Sequence, residues 1–308
     1  MTSVPIALSL FLVAVVLVAI AAPCGAIRLV AHYRRARLLS RRRIRIAWLT
    51  VGLGLIGLGC VLFGALVEVN RLSITMIEVR TPRLPAGTRV RIVQISDTHV
   101  DGPTRVLSAL PEVVNSLDAD VLVFSGDALN ATAGLPVFEE TLSRVRTRFG
   151  RFAVQGNFDD GSELAGGRAA KELAGIPVQI AGGLVTLCGA PFDIGNSPRR
   201  QIASCLASSQ EGARVIVYHT PDLVEELSPL GADLYLAGHT HGGQVRLPWY
   251  GALITMSEYG KKYEMGRYLV GVTTLFVSRG IGAEKPRVRF LCPPEVAVID
   301  LVGEDSPR

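Results

Sequence analysis

Four of the five histidines in the chain fall in short polar motifs: Asp97-Thr98-His99, Tyr218-His219-Thr220 and Gly238-His239-Thr240-His241-Gly242-Gly243-Gln244. Two further motifs, Ser125-Gly126-Asp127 and Gln155-Gly156-Asn157-Phe158-Asp159, lie between them in the order of the chain. Together they offer imidazole nitrogens, carboxylate oxygens and an amide oxygen, and no thiolate. Such donors suit two hard or borderline divalent cations. A carboxylate shared by two cations, with imidazoles and an amide in the remaining positions, holds them ~3.5 to 4 Å apart; the metal pair clamps a phosphoryl group, and a water between them becomes the hydroxide for in-line attack on phosphorus. His32 is different: it sits in an arginine-rich stretch with no partner motif and reads as solvated or interfacial.

Chemistry of this kind needs elements that bring distant motifs together. Residues 89–95, 121–124 and 152–155 read as core strands, each ending at one of the polar motifs, with helical patterns at 105–117, 136–148 and 162–173 between them. A second succession follows, with strands at 184–188, 215–218 and 234–237 and helices at 199–207 and 222–227. Strand-like stretches at 245–247, 268–270, 274–278 and 296–301 complete a second sheet. The class is α/β. In open α/β sheets ligands bind where loops converge at the carboxyl ends of the strands, so motifs at five such ends can meet in space. One catalytic domain is expected over residues 78–303, led in by Pro82-Arg83-Leu84-Pro85-Ala86-Gly87.

The rest of the chain has a different composition. Of 308 residues, 49% are apolar and only 19% charged. The excess is local: residues 1–27 carry no charged side chain, and 4–27 and 46–67 are apolar runs. Both are long enough to cross a bilayer, which needs ~20 helical residues. Between them lie Arg28, Arg34, Arg35, Arg37, Arg41, Arg42, Arg43 and Arg45 without an acid. By the positive-inside rule this loop is cytoplasmic, which predicts a two-helix hairpin over residues 1–70 in the cytoplasmic membrane and an extracytoplasmic catalytic domain. A cleavable signal would want a charged start, and Met1-Thr2-Ser3-Val4 has only the terminal amine. Residues 1–70 hold eight arginines and one acid, Glu68, against +5 for the whole chain, so the remainder carries about −2. The basic balance therefore belongs to topology and anionic lipid, and no nucleic-acid partner is expected.

Cys24, Cys60, Cys188, Cys205 and Cys292 show no C-x-x-C spacing. Cys188 and Cys292, in apolar stretches, read as buried small hydrophobes, with a bridge between those two left open.

The order Asp-x-His, Gly-Asp, Gly-Asn-x-Asp, a lone His after a strand and Gly-His-Thr-His resembles the calcineurin-like metallophosphoesterases. His219-Thr220-Pro221-Asp222, Gly242-Gly243-Gln244, Val277-Ser278-Arg279-Gly280-Ile281-Gly282 and Pro293-Pro294-Glu295 are similar to its membrane-associated branch of bacterial phosphodiesterases, the YkuE-like or YaeI-like proteins. Singly, Asp97 or Asp127 could be a loop cap and His219 a packed strand-end residue; the joint order argues for a metal site. The resemblance implies a four-layer αββα sandwich. It also implies that Asp97, His99 and His241 bind one metal and Asn157, His219 and His239 a second, with Asp127 bridging, so that Asp127, Asn157 and His219 carry the catalysis. The implied cofactors are two divalent ions, Mn, Fe, Zn or Mg, with no organic cofactor. The implied activity is that of a metal-dependent phosphoric ester hydrolase acting on a phosphodiester or pyrophosphate, lipid- or nucleotide-linked, at membrane lipids.

One position departs from the pattern. Where the family has Gly-Asn-His followed by an acid, this chain has Gly156-Asn157-Phe158-Asp159. The family's histidine there touches the phosphoryl oxygen or protonates the leaving group, and phenylalanine can do neither. Metal binding is expected to survive, while loss of a general acid costs ~10²- to 10⁴-fold, less for a diphosphate or nucleotide-linked leaving group that is already acidic; alternatively Asp160, Arg279 or another side chain supplies the missing contact. The alternative is a metal-binding membrane sensor or scaffold with weak or absent catalysis.

Overall fold

A computed structural model describes residues 6–35, 38–161, 168–209 and 211–304. The chain divides into two compact units, Met1–Val67 and Glu68–Arg308.

The first unit is a pair of helices, α1 (Ile6–Tyr33) and α2 (Arg41–Leu66), packed on one another. Small residues make the close approach: a Cβ on Gly25 would collide with Thr50 and the Ala47 carbonyl, and one on Gly54 with Ala22. Both helices are long and apolar enough to cross a membrane. The arginine stretch is less of a loop than the sequence suggests. Arg28 lies within α1, and Arg41, Arg42, Arg43 and Arg45 lie within the first turns of α2, so the charges cluster at the adjoining helix ends. Arg37 lies outside the described residues. His32 is in the last turn of α1, and its Nδ1 accepts from the Leu39 amide at 3.2 Å, closing the connection.

The second unit is built on two six-stranded sheets. Its strands are β1 (Ser73–Thr81), β2 (Arg89–Ile95), β3 (Val121–Phe124), β4 (Arg151–Ala153), β5 (Lys171–Glu172), β6 (Val178–Ile180), β7 (Val185–Gly189), β8 (Ala213–Val217), β9 (Leu234–Ala237), β10 (Arg246–Leu247), β11 (Gly251–Ala252), β12 (Gly266–Val270), β13 (Thr273–Val277) and β14 (Glu295–Gly303). The first sheet runs β1-β14-β2-β3-β4-β5 and the second β12-β13-β9-β8-β7-β6, with β10-β11 a separate hairpin. β2 through β5 are parallel, as are β7, β8, β9 and β13. Each set therefore points its carboxyl ends one way.

Strand alternation sorts the core into layers. Val90, Ile92, Val121 and Val123 face Val215, Val217, Leu234 and Leu236 across the space between the sheets. Val93, Ile95, Leu122 and Phe124 face outward against helices α3 (Arg105–Asn115) and α4 (Leu135–Ser143), through Leu107, Leu110, Val114, Phe138 and Leu142. Ile216, Tyr235 and Leu275 pack on the other outer face against α5 (Ser197–Ser208) and α6 (Val224–Leu227), through Ile202, Leu206, Val224 and Leu227. The result is the four-layer αββα sandwich. At the strand ends Gln94 joins the layers, donating to Ser125 Oγ at 2.8 Å and to the Ala237 carbonyl of the second sheet at 2.9 Å.

Several local expectations are corrected. The helix at 162–173 does not extend through its second half: Lys171–Glu172 is an edge strand paired with Phe152 and Ala153, and Leu173 is buried between the sheets. Residues 162–167 lie outside the described residues. Sheet pairing and burial of Leu173 win over a weak helical pattern that contains the Gly166-Gly167 pair. α4 stops at Ser143, short of residue 148, because the Arg151 guanidinium collects the Leu142 and Val145 carbonyls at 2.8 and 3.0 Å. The first sheet also takes in β1, which starts at Ser73, ahead of residue 78, and β14, expected in the second sheet but paired between β1 and β2, while Arg246–Leu247 pairs only in the β10–β11 hairpin.

The cysteines pair differently from the reading. Cys188, in β7, is bonded to Cys205 in α5, with Cα atoms 5.8 Å apart, while Cys292 is a buried free thiol donating to the His241 carbonyl at 3.1 Å. The bridge closes a 17-residue separation. Loop-closure entropy for such a span corresponds to about 3 kcal/mol, so Cys205→Ser should lower unfolding stability by that order. Denaturant melts with and without reductant check this, and a reductant-insensitive midpoint in the parent chain would contradict it.

Candidate metal centre

The strand ends deliver all seven side chains to one cluster. Asp97 and His99 follow β2, Asp127 follows β3, Asn157 follows β4, His219 follows β8, and His239 and His241 follow β9. Asp97, His99, Asp127, His239 and His241 all have positive φ, between 43° and 68°. Non-glycine residues rarely occupy this region, and five of them in one site mean that the surrounding packing holds them there. Two glycines explain how the loops approach so closely. A Cβ on Gly238 would strike Ser96 and the Asp97 carboxylate, and one on Gly156 would strike Asp127 Oδ1 and its amide.

The donors form two groups, Asp97 with His99 and His241, and Asp127 with His219 and His239, the candidate ligand atoms of each lying within 4.8 Å of one another. Asn157 joins the second group, its Oδ1 lying 3.0 Å from His219 Nε2. Asp127 Oδ2 stands between the groups, 3.6 Å from His99 Nε2 and 3.3 Å from His219 Nε2. His99 Nε2 faces His241 Nε2 at 3.0 Å, and His239 Nδ1 faces His219 Nε2 at 3.2 Å. Imidazole nitrogens aimed at each other in a buried polar cluster are what a cation would draw together, so this donor set fits divalent metal.

Outer partners select which nitrogen faces the centre. His219 Nδ1 is 2.8 Å from the Ser125 carbonyl, and His239 Nε2 is 3.3 Å from the Met256 carbonyl. His99 Nδ1 is 3.0 Å from Asn130 Oδ1. The remaining nitrogen of each ring points inward.

Electrostatics supports a site built for cations. Burial pushes the Asp97 carboxyl up to about 7, against the pull of His219. Burial also opposes charge on His219, but Asp127 and Asp97 outweigh it and lift that imidazole to about 9. Burial holds His99 and His239 below the usual histidine range, and burial together with repulsion from His99 holds His241 well below it. Burial works against the Asp127 carboxylate as well, yet His219 and His99 keep its pKa below the ordinary range. Without metal, one imidazolium thus stands where cationic charge is wanted.

Cation binding must expel that proton, because the ligand is neutral imidazole. Metal affinity is therefore expected to rise with pH: steeply below 7, where Asp97 also gives up a proton, and more gently to about 9, where His219 ceases to compete. Calorimetric titration with Mn²⁺ near pH 8, in buffers of differing ionisation enthalpy, should show about one proton released per chain as both donor groups fill. Release of none would show that His219 is not displaced.

Some contributors carried no separate role in the sequence reading. The Asp159 carboxylate accepts the amides of Asp127, Ala128 and Gly156 at 2.8, 2.7 and 2.7 Å, so it shapes the loop that carries Asp127. Its spacing, two residues after Asn157, was the available signal. Asp159→Ala is expected to lower metal affinity or activity by ~10- to 100-fold, the cost of losing an outer-shell partner. Metal content per chain and kcat/KM would report it, and unchanged values in the variant would refute the role. Arg289 is fully buried, and its guanidinium donates to carbonyls of Arg279, Gly282 and Cys292 at 2.8, 2.8 and 3.0 Å. It thereby fixes the 279–282 turn, whose Ile281 and Gly282 amides bond the Ser96 and Asp97 carbonyls at 2.9 and 2.7 Å.

Phe158 sits where the sequence reading placed a gap. Its amide donates to Asp127 Oδ1 at 2.9 Å, while its half-exposed ring stands edge-on to His99 at 5.1 Å. Arg279 does not fill the gap, since its guanidinium is held by Glu295 at 2.6 Å and by Ser73 Oγ at 3.1 Å. Glu284, with an oxygen 3.8 Å from His241 Nε2, is the further acid at the rim.

Comparison with known proteins agrees with this geometry. The family model described as calcineurin-like phosphoesterase matches residues 90–243. The uncharacterized metallophosphoesterase YkuE of Bacillus subtilis is 29% identical over 256 residues, covering 76% of this chain and 87% of that protein. Phosphodiesterase YaeI of Escherichia coli is 28% identical over 229 residues, covering 69% and 82%. UDP-2,3-diacylglucosamine pyrophosphatase LpxG of Chlamydia muridarum is 26% identical over 302 residues, covering 77% and 92%. With the motif order, the αββα sandwich and the two donor groups, these matches establish the chain as a member of the calcineurin-like phosphoesterase family, a hydrolase of phosphoric esters.

Proposed function

We propose that the chain is a membrane-anchored phosphoesterase with two divalent cations, hydrolysing a phosphodiester or pyrophosphate. The observation that carries this reading is Asp127 Oδ2, placed between two donor groups, 3.6 Å from His99 and 3.3 Å from His219. In it Asp97, His99 and His241 hold one cation, Asn157, His219 and His239 the other, and Asp127 is shared. The bound pair supplies a clamp for the phosphoryl group and a water acidic enough to attack phosphorus near neutral pH. Asp159 holds the Asp127 loop in register, and Asn130, Ser125 and Met256 hold the rings. Phe158 shields one side of the site and gives no proton, which favours leaving groups that depart as stable anions. The relatives YaeI and LpxG, a phosphodiesterase and a pyrophosphatase, support this bond class.

The two apolar helices support membrane association. The arginines at their adjoining ends favour a cytoplasmic connection, with the second unit outside. The Cys188–Cys205 bridge supports the same side, because structural disulfides persist in oxidising compartments.

The test of the activity is the full chain, purified in detergent and loaded with Mn²⁺, on bis(p-nitrophenyl) phosphate and p-nitrophenyl phosphate, with Asp127→Ala as blank. Turnover above the blank is the expected result; turnover equal to it across these and a panel of lipid and nucleotide esters would leave the second reading, a metal-binding sensor motivated by Phe158. Orientation is tested by fusing alkaline phosphatase after residue 303, where an inactive reporter would reverse the assignment.

A further inference from the structure

The β10–β11 hairpin carries Pro248-Trp249-Tyr250 at its tip. Trp249 is fully exposed, at 104% of its reference area, and is held at φ 61°. A tryptophan kept in the left-handed region with its ring in solvent costs free energy twice, once in the backbone and once in hydration. Tyr250 and Leu291 add exposed apolar surface beside it. Leu291 lines the same hollow as Trp249 and Tyr250. Scattered surface hydrophobics need no explanation, but a strained aromatic tip with apolar neighbours does.

The attachments of this hairpin point to its occupant. Its base is stitched to the 290–292 segment, with the Arg246 amide donating to the Phe290 carbonyl at 3.0 Å. That segment is also where the chain enters the second unit. The buried Glu68 carboxylate accepts the Leu291 and Cys292 amides at 3.0 and 2.6 Å, only two residues after α2 ends at Leu66. Two residues span less than ~8 Å of extended chain. The same segment touches the metal centre, through Cys292 Sγ on the His241 carbonyl at 3.1 Å, while Met256 meets His239 at 3.3 Å.

We propose that Trp249, with Tyr250 and Leu291, rests in the headgroup–acyl boundary of the lipid bilayer. The proposal rests on the anchored reading of α1 and α2: Glu68, two residues after α2 in the chain, is bonded by the Leu291 amide beside this hairpin. Tryptophan and tyrosine suit that boundary, with an apolar ring and one polar atom. The site would then take phosphoesters presented on lipid.

The chain has two tryptophans, Trp48 and Trp249. In full-length W48F, reconstituted in vesicles of phosphatidylethanolamine and phosphatidylglycerol, Trp249 should emit at shortened wavelength. It should lose most of its intensity to a lipid spin-labelled near the headgroup, and less to one labelled near the acyl terminus. The difference spectrum between the unsubstituted chain and W249A gives the same reading without relying on W48F. Emission typical of an indole in water, indifferent to both labels, overturns the proposal. Shortened emission that neither label quenches also overturns it, because a second copy of the chain would then cover the tip. Hydrolysis of bis(p-nitrophenyl) phosphate by the same vesicles reports separately on the phosphoesterase reading. Lost hydrolysis with quenching intact removes only the enzyme, and lost quenching with hydrolysis intact removes only the surface.

Discussion

Alanine at position 127 is expected to reduce kcat for bis(p-nitrophenyl) phosphate by at least ~10³-fold, since loss of even one transition-state donor in a preorganised site costs 10²- to 10³-fold. Three functions are lost together in this variant. The carboxylate standing between the donor groups disappears, His219 and His99 lose the charge nearest them, and the Phe158 amide loses its acceptor. The electrostatic consequence has a definite sign. Asp127 is the leading contributor raising the His219 imidazole to about 9, so the variant's His219 should titrate lower. Elemental analysis of metal per chain, with NMR titration of the metal-free histidines, separates loss of metal from loss of chemistry. A variant that keeps both its metal content and its rate would show that Asp127 is not the shared ligand.

Phe158→His should do the opposite, and selectively. The ring at position 158 stands over the first donor group, close to His99 and half in solvent, where an imidazole could reach a departing oxygen. A positioned general acid contributes ~10²- to 10⁴-fold, and most to leaving groups that are poor anions. Hydrolysis of an alkyl phosphodiester is therefore expected to rise by about 10²-fold, at the lower end of that range, while nitrophenyl esters change little. The Asp127 contact should persist, because it uses the main-chain amide rather than the ring. The ratio of kcat/KM for alkyl and nitrophenyl esters reads the effect directly. Equal gains on both would mean that the imidazole improves binding rather than proton transfer, and no gain would mean that protonation does not limit the rate.

How far the site could be read in advance depends on where each feature is encoded. The candidate ligand motifs follow strands whose apolar runs are plain, as in Val121-Leu-Val-Phe124, where both faces are apolar because both are covered. β1 escaped because its pattern misleads: Ile74 and Met76 face solvent while Ser73 and Thr75 point inward to the Glu295 and Arg279 network. The helix expected at 162–173 failed where an edge strand captured the backbone at Lys171–Glu172. Arg289 gave no signal at all, because a buried arginine satisfied by carbonyls has no partner residue to find in the sequence.

By itself the sequence determined the donor types, their order at strand ends, the two apolar runs and the absence of the usual histidine at position 158. These are local properties, set by side-chain chemistry and by short-range periodicity. The tertiary structure alone decided that Asp127 lies between the two donor groups, which nitrogen of each ring faces inward, that Cys188 pairs with Cys205, and that Glu68 meets Leu291 beside an exposed tryptophan hairpin. Each of those depends on contacts between residues far apart in the chain. Such contacts follow from how two sheets and their loops pack, and no local pattern in the sequence encodes that register.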